Sequence, residues 1–445
     1  WTVLRLYWRL YAFLPDLRTA LTQSLPRVMG EPSFSIAAIS SCSFMVRMIY
    51  YSISFVKWGR RKKGMDPATL ARHALEALKR PLTLKEALSS VADFRIDRMK
   101  KFPLYEILMI AVCAMIDGAK GPTDFERFGK AKLRLLKKFL PLRNGIPSHD
   151  TFRRVLGKID PKRFNAATVK WLESIADVTG DVISIDGKLL RRALTTDCKM
   201  PCIVSAHSHR TRLVIGQVKA DEKSNEITAI PNLLDVLYLK GAIVTIDAAG
   251  CQKKIVRKIL KRGAGYIISL KGNQSTMHDE IRAFMQDPSF KARFKKAKTV
   301  DKGHGRVETR TCWQTDDIDW FEDKDKWAGL RSVCMVESVV YDKSTGKTTS
   351  ETRFFISSLP VGPKRALEAI RAHWGVEAMH WILDMDFDED RSRARREDLA
   401  ENLAMLRHVV INVLRLDKSV FGGISVKRKE LTWDDEKLLG LMLAA

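Results

Sequence analysis

Acid is what this chain is short of. Against 77 Lys and Arg stand 52 Asp and Glu, a net charge of +25 over 445 residues. A surplus of that size points to a polyanionic partner. Nucleic acid is the commonest one, and an anionic membrane surface is the competitor. Cysteine is scarce and scattered: Cys42, Cys113, Cys198, Cys202, Cys251, Cys312 and Cys334 form an odd set with no framework spacing. That argues against a disulfide scaffold and fits a reducing cytoplasm. Internal repeats, low-complexity segments and a secretory leader layout are also missing. Long apolar runs are nearly absent. The exception, SFSIAAISSCSFMVRMIYYSISFVKW at 33–58, is long enough to span a bilayer but carries Arg47 mid-run and several serines.

That run belongs to a segment unlike the rest. The chain begins with Trp1, and the basic block WGRRKKG precedes Met65. Met65 reads as the natural start and residues 1–64 as an upstream extension, with a membrane anchor as the alternative. Those 64 residues hold ten Lys/Arg and two Asp/Glu, so the remainder keeps +17.

The expected organisation is a helical domain over 65–178, an α/β domain over 179–416 with a β-rich insertion at about 275–360, and a tail over 417–445. LKEALSSVADFRIDRMKK (84–101) reads as amphipathic helix and PLYEILMIAVCAMIDGA as a buried one. Ser148 or Asp150 caps the next helix, and Asp160-Pro161 opens another. From 181 the period changes to strand. DVISIDGK is followed by a hairpin turning near Ser208-His209-Arg210, a short helix, AIVTIDA, the basic helix CQKKIVRKILKR and GYIISLKG. Three β-like stretches follow, then one helix from about Pro363 holding KRALEAIRAHWGVEAMHWILDM. The order β-β-β-α-β-α-β predicts one mixed sheet.

Two of these strands end on a carboxylate. Val182-Ile183-Ser184-Ile185 runs into Asp186, and Ala242-Ile243-Val244-Thr245-Ile246 into Asp247. A buried unpaired carboxylate is costly, so a cation is expected at both strand ends. Phosphodiester cleavage uses such acids. Two Mg²⁺ ions about 3.5–4 Å apart neutralise the attacking and leaving oxygens, and hard Mg²⁺ prefers carboxylates. Glu377, an acid among Trp374, Val376, Met379 and Trp381, is the candidate third ligand.

The motifs ISIDGK, IVTIDAAGCQKKI, YIISLKGNQ, GHGRVETR and RAHWGVEAMHWILDMDFDEDRSRARREDLAENLAMLRH together resemble the DDE transposases of bacterial insertion sequences, the H-repeat-associated, Rhs-linked group in particular. The resemblance runs from about residue 80 to about 415. It implies an RNase H-like catalytic fold, preceded by an all-helical domain, with a β-rich insertion before the last acid. It implies Asp186, Asp247 and Glu377 as the catalytic, metal-holding triad. It also implies Mg²⁺ as cofactor (Mn²⁺ as substitute), cleavage at element ends, 3′-OH attack on target DNA, and a homo-oligomer of at least two copies at synapsis. The protein would then work in the cytoplasm on nucleoid DNA. An inactive DNA-binding remnant and a stand-alone RNase H-like nuclease are the alternatives. In one respect the chain departs from related transposases: where they carry Tyr, Arg and Lys around the catalytic Glu, it has Ile370, His373 and Asp384.

DNA-backbone contacts are expected from Lys271 and Asn273 after a strand end, from Arg371 and His373, and from His304, Arg306 and Arg310 on one face of a strand. Lys223, Asn225 and Glu226 match the family pattern without an assigned role. Other groupings are decoys. Cys198, Cys202, His207 and His209 are too cramped for zinc. DMDFDED (384–390) lacks the Gly and closing Glu of a calcium loop, leaving Glu389 and Asp390 as supporting acids for the metal site. Trp374 and Trp381 are expected in the core, with base stacking as the other reading.

Overall fold

The computed structural model describes residues 80–193, 200–220, 226–303 and 305–445. The chain divides at Leu82/Thr83, and Thr83–Ala445 holds together as one unit. The proposed start at Met65 and the apolar run before it lie outside the described residues.

Helix α1 (Leu84–Ser89) opens with a capping box. Thr83 Oγ1 accepts from Glu86 N at 3.2 Å, and Glu86 Oε2 accepts from Thr83 N at 3.0 Å. The helix stops far short of residue 101. Ser89 and Ser90 hydroxyls bond back to the carbonyls of Lys85 and Ala87, which competes with continuation. Then come α2 (Leu104–Ile116), buried almost all round, and α3 (Pro122–Ala131). Ser148 caps α4 (His149–Lys158), and Asp160 caps α5 (Pro161–Glu173).

One nine-stranded mixed sheet follows, in the order β3-β2-β1-β4-β5-β9-β8-β7-β6. Its strands are β1 (Val182–Leu189), β2 (Cys202–Ser208), β3 (Val214–Lys219), β4 (Ile243–Ile246), β5 (Gly265–Leu270), β6 (Lys295–Gly303), β7 (Arg306–Thr315), β8 (Ser332–Asp342) and β9 (Thr348–Ser357). Only β1, β4 and β5 are parallel. They run apolar because both faces are covered: Ile183, Ile185, Val244, Ile246, Ile267 and Ile268 are all buried. The crossovers are α6 (Glu226–Val236) and α7 (Lys253–Lys261).

The insertion extends this sheet rather than forming a second one. After α8 (Ser275–Gln286), strands β6 to β9 add antiparallel to the free edge of β5 through β9. The predicted single helix is two, α9 (Pro363–Ala372) and α10 (Trp374–Met385), joined at His373. Helix α11 (Leu399–Leu416) unites the parts: Asn402 Nδ2 donates to the carbonyls of Leu156 and Ile159, and Asn412 pairs both ways with the backbone of Val214. Residues 417–445 fold into α12 (Ile424–Trp433) and α13 (Asp435–Ala444), with Arg428 reaching the carbonyls of Met115, Ile116 and Asp386.

Candidate active site

The register of β1 and β4 brings the two acids together, although β1 runs on to Leu189, so Asp186 is within the strand and only Asp247 follows a strand end. Ile185 pairs with Ile246, so Asp186 and Asp247 are the next step along two adjacent parallel strands. Neighbouring strands lie about 4.8 Å apart, and residues in register point to the same face. A separation of 61 residues in sequence thus becomes one strand spacing.

Two residues earlier on that face are the hydroxyls of Ser184 and Thr245, both buried. They dock the junction of α9 and α10. His373 Nδ1 lies 3.1 Å from Thr245 Oγ1, Thr245 donates to Ser184 at 3.2 Å, and Ser184 donates to the Ala372 carbonyl at 3.2 Å. With the proton on His373 Nδ1, every member of this chain donates once. Helix α10 therefore starts over the strand ends, and Glu377 stands in its first turn. One turn on, His380 Nδ1 is 3.6 Å from Asp186. Burial pushes the His380 pKa down to about 4, so this ring is neutral at pH 7.

Asp186 feels the crowding. Burial first, then the carboxylates of Glu226, Asp247 and Glu377, push its pKa up to about 7. Among the described residues, no Lys or Arg forms an ion pair with Asp186, Glu226, Asp247 or Glu377, and no three His, Cys, Asp or Glu side chains converge on one metal-sized point. The donor set itself is hard oxygen throughout, which suits Mg²⁺ or Mn²⁺. The loop after Asp247 is braced: Gly250 N donates to Asp247 Oδ1 at 3.2 Å, Asn273 to the Ala248 carbonyl at 2.6 Å, and Gln274 to the Cys251 carbonyl at 3.0 Å.

The acids of 384–390 are a different case. Lys188, two residues beyond Asp186 on the same face of β1, sits 2.8 Å from Asp384 and 3.1 Å from Asp390. Glu389 pairs with Arg407 at 3.1 Å, both almost wholly buried, and Asp388 pairs with Lys120. Lys188 thereby ties β1 to the far end of α10. Sequence alone assigns no role to Lys188, Ser184, Thr245 or His380. The signal that could have found them is spacing: a hydroxyl two residues before each Asp, and Lys188 two residues after Asp186.

The expected DNA contacts differ in exposure and in their partners. Lys271 is exposed at the end of β5, next to the strand bearing Asp247. Asn273 braces a loop, and His373 points inward. Arg306 is exposed and 3.3 Å from Asp342. Arg310 is only 6% exposed, between Asp301 and Glu308, and Asp301 also meets Arg371. His304, Lys223 and Asn225 lie outside the described residues. Of the cysteine and histidine set, Cys198 does too, while Cys202 and His207 fall on opposite faces of β2. Trp374 and Trp381 are not core residues: they are 43% and 61% exposed, and Arg310 and Arg353 lie over the Trp374 ring at 5.4 and 5.9 Å. No helix among the described residues is long and apolar enough to cross a membrane.

Comparison with known proteins shows the family. Residues 85–172 match the family described as DDE_Tnp_1-associated, and residues 179–413 the Transposase DDE domain. Over 372 residues the chain is 36% identical to the "H repeat-associated putative transposase YhhI" of Escherichia coli K12, covering 81% of this chain and 97% of the relative. Over 356 residues it is 37% identical to the "Putative transposase YncI" of Escherichia coli O157:H7, covering 78% and 91%. A third relative, "Inactive transposase YbfQ" of Escherichia coli K12, is 42% identical over 78 residues, only 17% of this chain. Transposase DDE domains generally use a divalent metal and act on DNA. With more than half its length inside that domain, the chain belongs to the DDE transposase family.

Proposed function

We propose that this protein cuts DNA at the ends of an insertion sequence and joins the freed ends to target DNA. The observation that supports the reading is the in-register pair Asp186 and Asp247, with Glu377 in the first turn of α10, whose start is docked on Ser184. These three would hold Mg²⁺, with Mn²⁺ as a substitute; when bound, the ions neutralise charge on the attacking and leaving oxygens.

Around that centre the chain orients rather than reacts. In the first step a water oxygen forms a bond to phosphorus and the 3′-oxygen leaves, yielding a 3′-OH and a 5′-phosphate. In the second, that 3′-OH attacks a target phosphodiester, forming one P–O bond and breaking another, so no net bond energy is needed. The Ser184–Thr245–His373 chain fixes the height of Glu377, and Lys188 fixes the far end of its helix. Exposed Lys271 and Arg306 supply backbone contacts. The Trp374 ring, three residues before Glu377, offers a stacking surface for an unpaired base. Two ends brought together require at least two copies of the chain.

The test uses a duplex carrying a pre-cut element end and a supercoiled plasmid target. A 3′-OH end is expected to be joined to the plasmid in Mg²⁺, and a 3′-deoxy end is not. Equal recovery of joined product from both ends would defeat the proposal.

A further inference from the structure

We propose that Glu226 is a fourth carboxylate of the divalent-cation site, entering it across Gly187 from the first turn of α6. The inference rests on the reading of Asp186 and Asp247 as cation-holding residues. Four observations support it.

The first is steric. Gly187 directly follows Asp186, and a Cβ built on it would lie 2.3 Å from Glu226 Oε1 and 2.4 Å from its carboxyl carbon. The backbone of Gly187 is not left-handed, so what glycine supplies here is room rather than conformational freedom. The carboxylate of Glu226 rests in the space a side chain would fill, against the strand that carries the first acid.

The second is orientation. Cys202, on β2 beside β1, places its thiol 3.6 Å from Glu226 Oε1 and donates to it. One oxygen of Glu226 is held by the thiol while the other is left for a further partner.

The third is charge. Glu226 is half-buried, yet no Lys or Arg among the described residues forms an ion pair with it. Its carboxylate lies close enough to Asp186 and Asp247 for the like charges to oppose one another. A carboxylate driven towards two others in a half-buried site is unfavourable unless a cation joins them. The acids of 384–390 show how this chain neutralises carboxylates that are not meant for a metal: with Lys188, Arg407 and Lys120.

The fourth is ligand supply. Three carboxylates offer six oxygens, whereas two Mg²⁺ ions take roughly six ligands each. A fourth carboxylate brings the protein's share nearer to that demand and still leaves positions for water and phosphate.

The test is calorimetric titration of Mn²⁺ into the full-length chain without DNA, for wild type, Glu226→Gln, Glu226→Asp and Asp247→Asn. Thermal denaturation in EDTA establishes that each variant is folded. Glu226→Gln is expected to weaken Mn²⁺ binding about ten- to hundredfold. Glu226→Asp, which keeps the charge, is expected to fall between it and wild type, and would carry the test if Glu226→Gln did not fold. Duplex binding in EDTA is expected to stay unchanged. If Asp247→Asn weakens Mn²⁺ binding and neither Glu226 variant does, the role of Glu226 is refuted and the site itself stands. If wild type binds no Mn²⁺, the cation reading of the whole site falls, and this proposal with it.

Discussion

Two groups of acids lie against strand β1, and they are treated in opposite ways. In one, Asp186, Glu226, Asp247 and Glu377 come from four separate elements and form no ion pair with Lys or Arg among the described residues. In the other, Asp384, Asp388, Glu389 and Asp390 each meet a cation. The second group is closer together in sequence and looks more like a metal loop. Its charge is spent on holding α10 and α11 to the sheet. A carboxylate already neutralised by Lys or Arg has little to gain from a metal, so the unpaired set is the one suited to bind one.

Several substitutions would break or sharpen this contrast. The largest effect is expected in the unpaired group. Glu377→Gln should lower end cleavage by at least about a thousandfold, because several kcal/mol of transition-state stabilisation depend on the bound ions. Quantified cleavage of an end-labelled duplex measures this, and loss of less than about tenfold would put Glu377 outside the site. In the paired group the effect moves to stability. Arg407→Met leaves Glu389 buried and alone, at a cost of about 3–5 kcal/mol in urea denaturation. A change below about 1 kcal/mol would mean that Glu389 is already neutral.

Magnesium should separate the groups by a smaller margin. At a hundred times its dissociation constant, Mg²⁺ should stabilise wild type by about 2.7 kcal/mol and leave Asp186→Asn nearly unmoved. Equal stabilisation of both in thermal denaturation would place the ion elsewhere. Lys188→Met should cost about 1–3 kcal/mol by unpairing Asp384 and Asp390, and Lys188→Arg should restore much of it. If the Arg variant is no better than Met, the pair contributes nothing measurable. The smallest expected effect is Thr245→Val, about 1 kcal/mol from the broken hydroxyl chain, visible as a modest shift of the denaturation midpoint.

What could be read from sequence was whatever local pattern dictates. Apolar runs meeting an Asp marked both acids; Asp247 does follow the end of β4, whereas β1 continues past Asp186 to Leu189 because it stays paired with β2, and the sheet sets the two acids side by side. The hairpin turning near Ser208-His209-Arg210 followed from its turn residues, and Arg212 N donates to the Ser208 carbonyl there. The rest depended on partners distant in sequence. Strand β6 is KKAKTVDKG, with no apolar alternation to reveal it. It is the edge of the sheet, where lysines are tolerated and discourage further pairing. The break at His373 arises because its ring turns inward to Thr245, 128 residues away. Trp374 and Trp381 look like core in a helical pattern, yet the opposite face of α10 is the buried one, with Val376, Met379 and Leu383. Glu226 is ordinary in sequence; only the missing side chain at Gly187 reveals where it points.

The most direct test of the central claim compares wild type with Asp247→Asn on a labelled duplex bearing the element's end, in Mg²⁺, with binding and cleavage followed in parallel. The account predicts that both bind, that wild type cuts at the end, and that the variant does not. Cleavage by Asp247→Asn at the wild-type rate would contradict it, because the strand would then end in an acid that the reaction does not use.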